Sequence, residues 1–326
     1  MTVLVTGGAG FIGSNFILYL MNKHPDWKIK CVDAMTYAAD MKNLKDCWGR
    51  NDFALCVGDI CNKETIADVF NTVEPDIVIH FAAESHVDNS INGPEKFMQT
   101  NLMGTQVLLE ECRKHNVKRF HYVSTDEVYG DLPLDRPDLL FTEDSNIKPS
   151  SPYSVSKAAG DLLTLAYGRT YGLPVSVTRC SNNYGRHQHE EKLIPHMIKK
   201  LSQGEKLPVY GDGLNIRDWL HVWDHCAAID LIINNDATLG EVYNVGGNNE
   251  VTNIEIVKML CDITGNGYDM IEYVKDRPGH DRRYAIDSSK LQALGWKPQM
   301  DFYYGMMDTV EWYVEKFTGE VETCEC

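Results

Sequence analysis

The sequence predicts a doubly wound parallel α/β sheet followed by a smaller C-terminal α/β lobe. Three observations carry that expectation. Short apolar or β-branched runs alternate with helix-length periodic segments through the first half; a glycine-rich turn, Gly7–Gly13, joins the first run to the first helix; and the rhythm changes after about residue 185. Alternating β and α over this length implies right-handed crossovers, with ligands at the carboxyl ends of the strands.

Taken in order, 3–6, 29–32, 54–57, 77–81, 120–123 and 175–178 read as strands, and 14–22, 63–72, 101–115 and 153–171 as the helices between them. The segment 132–151, rich in Asp and Pro, reads as an exposed loop. Beyond it, helical segments 193–203, 222–234, 254–264 and 304–317 mix with short strands. One of these, near 241–246, is expected to return to the main sheet. The division expected is 1–185 for the dinucleotide-binding part and mainly 186–326 for the smaller lobe.

Composition narrows the function. The chain has 326 residues, 43% hydrophobic and 24% charged, as in soluble globular proteins, and a net charge of -16. That charge argues against general affinity for nucleic acid or anionic membranes, although local Arg and Lys can still bind an anionic ligand. No apolar stretch approaches the ~18 residues that span a bilayer. The start, Met1-Thr-Val-Leu-Val-Thr, runs straight into a strand without a basic leader, so the cytoplasm is expected. There are ten cysteines and no CxxC; Cys31, Cys56, Cys112, Cys180, Cys226 and Cys261 fall in apolar runs and read as reduced structural thiols. Cys324-Glu-Cys326 reads as a frayed end rather than a metal site.

Gly7, Gly10 and Gly13 follow a strand and open a helix. This spacing permits a tight turn, close approach of the backbone to a pyrophosphate, and close packing of helix on sheet. The helix N-terminus adds N–H donors and partial positive charge. Asp33 ends the next strand 20 residues past Gly13, placed to accept from both ribose hydroxyls and repel a 2′-phosphate. The implied cofactor is NAD on a Rossmann sheet. Asp59 is placed either to meet the adenine or to cap a helix.

Tyr153 and Lys157, at i and i+4, share a helical face. An ammonium beside a phenol lowers the phenol's pKa, so Tyr153 could take a proton from a sugar hydroxyl. The alternative is a core tyrosine with a surface lysine. Thr125-Asp126-Glu127 follows a buried strand and adds two adjacent carboxyls. A plain dehydrogenase has no use for them, whereas adding or removing water needs an acid and a base; a solvated loop pair is the bland reading. His221 and His225, also i and i+4, lack an evident third ligand and read as structural, so no metal is expected.

These motifs resemble the extended short-chain dehydrogenase/reductase family and, within it, the dTDP-glucose 4,6-dehydratases. The resemblance runs through Thr6–Gly13, His80–Asp88, Ser124–Gly130, Cys180–Gly185, Glu191–Pro195, Arg217–Trp219 and Arg277–Asp287. It implies NAD oxidation of a nucleotide-linked sugar at C4, loss of water across C5 and C6, and return of the hydride to C6. Glu127 would then be the base at C5, Asp126 the protonated acid at the C6 hydroxyl, and Thr125 would bond the C4 oxygen beside Tyr153. The cofactor set becomes Gly7, Gly10, Phe11, Ile12, Gly13, Asp33, Asp59, Ile60, Ala82, Ala83, Thr100, Tyr153, Lys157 and Asn183.

On the substrate side, Arg217 and Asn253 match diphosphate positions, with Asn182 beside them, and Ser85 and Thr125 belong to the same substrate-binding set. Lys192, Leu193, Pro208, Val209, Tyr210, Arg277, His280 and Tyr284 match the base and phosphate pocket. Arg217 reads alternatively as a surface ion pair. Two departures lie near the cleft: Arg186-His187 stands where Pro-Tyr is common, and Asn89 where arginine is usual. They leave dTDP- and UDP-glucose both open. A nucleotide-sugar epimerase or decarboxylase would share the glycine turn and YxxxK without needing the carboxyl pair, and a redox-sensing binding protein would need no acid at all. Apolar residues spread around both long helices (Leu162, Leu163, Leu165, Ala166 and Tyr167; Leu102, Val107, Leu108 and Leu109) suggest a homodimer through a four-helix bundle.

Overall fold

The computed structural model describes residues 1–276 and 279–319. Arg277, Cys324 and Cys326 therefore lie outside the described residues. The strands are β1 (Thr2–Thr6), β2 (Lys28–Asp33), β3 (Phe53–Val57), β4 (Ile77–His80), β5 (Arg119–Thr125), β6 (Val175–Cys180), β7 (Asn182–Tyr184), β8 (Leu207–Tyr210), β9 (Ile216–His221), β10 (Val242–Val245), β11 (Glu250–Thr252) and β12 (Ile271–Val274). The helices are α1 (Phe11–Lys23), α2 (Lys63–Val73), α3 (Val87–Asn92), α4 (Pro94–Met98), α5 (Thr105–Lys114), α6 (Pro152–Tyr171), α7 (Leu193–Ser202), α8 (Val222–Ile233), α9 (Asn253–Thr264), α10 (Ser289–Gln292) and α11 (Phe302–Thr318).

Seven strands form one parallel sheet in the order β10-β6-β5-β4-β1-β2-β3. The expected return of the chain near 241–246 is β10, which pairs with β6 from Val242↔Val177 to Val245↔Cys180. Side chains alternate across the pleat. Val3 and Val5 face a core completed by Phe16, Ile17 and Leu20 of α1 and Val222, Cys226 and Ile229 of α8. Leu4 faces the opposite core, with Ile66 and Phe70 of α2, Leu108 of α5 and Tyr167 of α6. Each such aliphatic side chain, fully buried, stabilises the fold by roughly 1.5–3 kcal/mol. Helix α8, expected in the smaller lobe, thus completes the main sheet's helical layer.

The second half adds a β11-β9-β7 sheet and a β12-β8 pair, with α7, α9 and α11 packed over them. The loop after β5 is largely exposed as expected, but it is tied down. Buried Arg283 donates to the carbonyls of Arg136 and Leu139 at 3.1 and 3.0 Å while its other nitrogens hold Glu250.

The expected continuous helix over 101–115 differs. Gln99–Gly104 is a π-helical turn, and α5 begins only at Thr105. The cause is Asn101, whose buried side chain bridges the Glu84 backbone and Ser156 Oγ, while Thr105 Oγ1 donates to its carbonyl at 2.7 Å. Such π-bulges recur at functional sites.

Candidate active site

Strand order reverses between β1 and β4, and a cleft of about 340 Å3 opens there at the carboxyl ends of the strands. The turn after β1 presses on the chain leaving β4. Gly7 has φ +70, and a Cβ on it would lie 2.6 Å from the Ala82 nitrogen, so no other residue fits. Gly10 caps α1 with no side-chain bond, leaving the helix N-terminus facing the cleft. Phe11, Ile12, Gly13, Ile60, Ala82, Ala83, Thr100 and Asn183 all line the same cleft. That cradle fits a dinucleotide.

Asp33, at the end of β2, is buried and accepts from Ala9 N at 2.9 Å and Met35 N at 2.8 Å. Burial raises its pKa while these two N–H groups pull it down. Asp59 lines the cleft, and its Oδ1 accepts from Cys61 N at 2.8 Å. The helix-cap alternative for Asp59 is overturned, because Asn62 caps α2 through Glu64 N and Thr65 N.

The catalytic candidates converge on the same floor. Ser151 and Ser154 form a capping box that starts α6 one residue before Tyr153, with Pro152 at the first helical position. The solvated-pair reading of Asp126 and Glu127 fails for Asp126, which is 2% exposed. Burial, then Glu127 and Asp218, push its pKa well above the usual carboxylate range. Its Oδ2 is buried with no hydrogen-bond partner, while Oδ1 accepts from Thr125 Oγ1 at 3.3 Å. Two neighbouring carboxyls thus sit in unequal surroundings.

Tyr153 is hydrogen-bonded to Thr125, and its pKa is raised, first by burial and then by the Glu127 charge. The direct lowering by Lys157 expected from the i, i+4 spacing is absent from this geometry. Lys157 Nζ donates instead to the Val123 carbonyl at 2.6 Å and lies 4.3 Å from the Tyr122 ring centre. Burial lowers the Lys157 pKa to about 8. The reading of Lys157 as a surface residue is excluded, since it is buried.

The substrate candidates divide. Ser85, Thr125, Asn182 and Lys192 line the cleft. Arg217 lies outside that lining and is buried, not a surface ion pair. It donates to the Ile216 and Asp281 carbonyls and stacks 4.3 Å over Tyr284. Its charge nonetheless reaches Asp126, and that of Glu127 reaches Tyr284, so this cluster abuts the catalytic floor. Asn253 opens α9 beside Asn215, and both carry a buried, unpartnered Oδ1. Pro208, Val209 and Tyr210 form β8; Val209 packs into the core with Leu193 against it, while Tyr210 is exposed, edge-on to His280.

Sequence reasoning passed over Ser124 and Ser181, whose buried Oγ atoms lack hydrogen-bond partners at the cleft, and Gln188, which lines it. Position at a strand's carboxyl end was the available signal. The two departures point away from the cleft. Arg186 pairs with Asp308 on α11, Nε to Oδ2 at 3.0 Å, and His187 meets Ser14 Oγ of α1 at 3.1 Å; Asn89 is exposed. Among the described residues no cluster of three or more metal-ligating side chains occurs. Of the apolar residues assigned to a dimer face, Val107, Leu108, Leu109 and Tyr167 belong to the core instead, and Leu162 and Ala166 remain exposed.

A profile of the GDP-mannose 4,6 dehydratase family matches residues 4–309. The chain is 48% identical to the dTDP-glucose 4,6-dehydratase of Haemophilus influenzae, over 96% of this chain and 98% of that one. Among solved structures it is similar to DesIV, a dTDP-glucose 4,6-dehydratase from Streptomyces venezuelae with NAD and TDP bound, at TM-score 0.93 and 44% identity, covering 98% of each chain. It is also similar to the dTDP-glucose 4,6-dehydratase of Bacillus anthracis in complex with NAD, at TM-score 0.88 and 46% identity, covering 96% of each.

Proposed function

The chain belongs to the GDP-mannose 4,6 dehydratase family, and from that premise we propose that it is an NAD-dependent hydro-lyase converting dTDP-glucose to dTDP-4-keto-6-deoxyglucose and water. One observation carries the reading beyond fold. A buried carboxyl with an open oxygen, Asp126, adjoins a second carboxyl, Glu127, beside Tyr153 and Lys157. Epimerisation at C4 needs only the last two.

The glycine turn, the N-terminus of α1 and Asp33 would hold the cofactor. Bound in oxidised form, NAD would supply the hydride acceptor and, later in the same turnover, the returning hydride donor. Tyr153, its own proton first released to solvent, would take the C4 hydroxyl proton while Thr125 holds that oxygen. Oxidation makes the C5 proton acidic, α to a carbonyl, and Glu127 removes it. Asp126, kept protonated, donates to the leaving C6 hydroxyl. Arg217, Asn253 and the β8 segment would hold the diphosphate and base, with Arg277 joining them.

The assembly we propose is a homodimer through α5 and α6. Val155 and Leu162 of α6, with Ile91 of α3 and Met103 of the π-helical turn that pack on it, are 40, 51, 43 and 46% exposed and leave apolar surface beside α6. A single species near the 36.9 kDa chain mass in sedimentation would refute it. No helix among the described residues is long and apolar enough to cross a membrane. The eight described cysteines are free thiols, which suits the cytoplasm.

The test is incubation with dTDP-glucose and, separately, UDP-glucose. The expected product has lost one water, and the faster substrate reveals the base preference. Stoichiometric NADH with a stable 4-keto-6-hydroxy product would overturn the reading.

A further inference from the structure

His225 lies on α8, remote in sequence from the carboxyl pair and from YxxxK, and it is fully buried. Its Nδ1 is 2.9 Å from Asn183 Oδ1, and its Nε2 is buried with no partner. The bonding of Asn183 decides which way the proton points. Asn183 Nδ2 donates to the Ser181 carbonyl at 2.9 Å, and a carbonyl can only accept. The oxygen of the amide therefore faces His225, and His225 must donate through Nδ1–H. Burial depresses the His225 pKa to about 3, so the ring is neutral, with a bare Nε2.

Asn183 is thus spanned between α8 and the turn joining β6 to β7. That turn is Ser181, followed at once by Asn182, the first residue of β7; their Oγ and Oδ1 are buried without partners in the cleft. Gln188 Nε2 donates to the Asn183 carbonyl at 3.0 Å, so the far edge of the cleft hangs on the same residue. An acceptor left buried and unpaired is costly, so removing the His225 donor would turn the Asn183 amide and release the turn.

We propose that His225 is a positioning residue for the dehydration: its Nδ1–H locks Asn183 and thereby holds Ser181, Asn182 and Gln188 in register with the reacting sugar. This rests on the function proposed above. The two are tested apart by comparing wild type with His225→Leu, which has no donor, and His225→Asn, whose amide nitrogen can take the place of Nδ1.

With dTDP-glucose, His225→Leu should lower kcat by about 10–100-fold, the size of effect that misplacing reacting groups produces. KM should change far less than kcat, because, of the candidate diphosphate and base contacts, only Asn182 hangs on this lock, while Arg217, Asn253 and β8 lie on other elements. His225→Asn should restore most of kcat. Equal kcat in wild type and His225→Leu, or no rescue by asparagine, would overturn the proposal. Should His225→Leu fail to fold, 15N-histidine spectra of wild type and His225→Asn decide it. One neutral imidazole protonated at Nδ1, unchanged from pH 8 to pH 5.5, should vanish in the variant; an Nε2–H form at that position would refute the lock. If wild type does not convert dTDP-glucose, the proposed function fails while these spectra still report on His225.

Discussion

Lys157 Nζ donates to the Val123 carbonyl at 2.6 Å, tying the helix of Tyr153 to the strand that ends in Thr125. One buried ammonium therefore sets the distance between the two halves of the catalytic floor. Burial has brought its pKa down to about 8, so it is charged below that pH and neutral above it. The expected kcat/KM profile loses activity on an alkaline limb near pH 8, which Lys157→Arg should remove at reduced overall rate. A wild-type profile flat through pH 9 would refute the dependence.

Asp126→Asn should slow loss of water by ~10²–10⁴, the usual cost of a missing general acid, while C4 oxidation continues. Its effect on stability runs the other way. A carboxyl whose pKa is raised in the fold contributes fully below its unfolded value and loses that contribution as pH rises. Asparagine has no proton to lose, so the variant should melt no lower than wild type at pH 7. A variant that is both unstable and uniformly inactive would mark Asp126 as structural.

Glu127→Gln should chiefly slow exchange of the C5 proton with solvent, and Tyr153→Phe should suppress oxidation itself. Deuterium incorporation and single-turnover formation of NADH separate the two. Equal exchange rates in Glu127→Gln and wild type would move the base elsewhere.

Asp33 holds two backbone N–H groups with its two carboxylate oxygens. Asparagine can accept at only one, so Asp33→Asn should destabilise by about 1–3 kcal/mol. It should also narrow the preference for NAD over NADP, because the charge that repels a 2′-phosphate is gone. Titrating both dinucleotides checks this, and an unchanged ratio would exclude Asp33 from the ribose.

Acid should weaken the fold early. Burial pushes His121 and His225 down to about 3, and His80 well below its ordinary value. A depressed pKa contributes stability above the unfolded value near 6.5 and loses it as pH falls, by about 2 kcal/mol each for His121 and His225 at pH 5. Asp218, raised to about 6, acts in the opposite sense over the same window and offsets part of the loss. Urea midpoints should therefore fall between pH 7 and pH 5, and a flat profile would contradict the buried neutral rings.

Much of this arrangement was legible in the residue string. Val3–Thr6 followed by Gly7, Gly10 and Gly13 is a local pattern, and strand, turn and helix form there because backbone sterics act over a few residues. The i, i+4 spacing of Tyr153 and Lys157 likewise puts both on one helical face. The break before α5 was not legible, because it follows from Asn101 reaching Glu84 and Ser156, distant in sequence. Nor was the cap on α2, a role read as open to Asp59 and taken in the structure by Asn62.

The residue order alone established which groups are present, on which kind of element, and at which end of the sheet. It left open what each group's surroundings do to it. Asp126 and Glu127 are neighbours in the chain, yet the Asp126 pKa is pushed well up, first by its burial and then by Glu127 and by Asp218, 92 residues on. Lys157 bonds a strand carbonyl rather than the phenol one turn away, and His225 reaches Asn183 from a helix of the far half. Periodicity and turn chemistry are short-range and can be read along the chain. Burial and electrostatics depend on whatever the fold brings near, and for these side chains that comes from tens of residues away in the sequence.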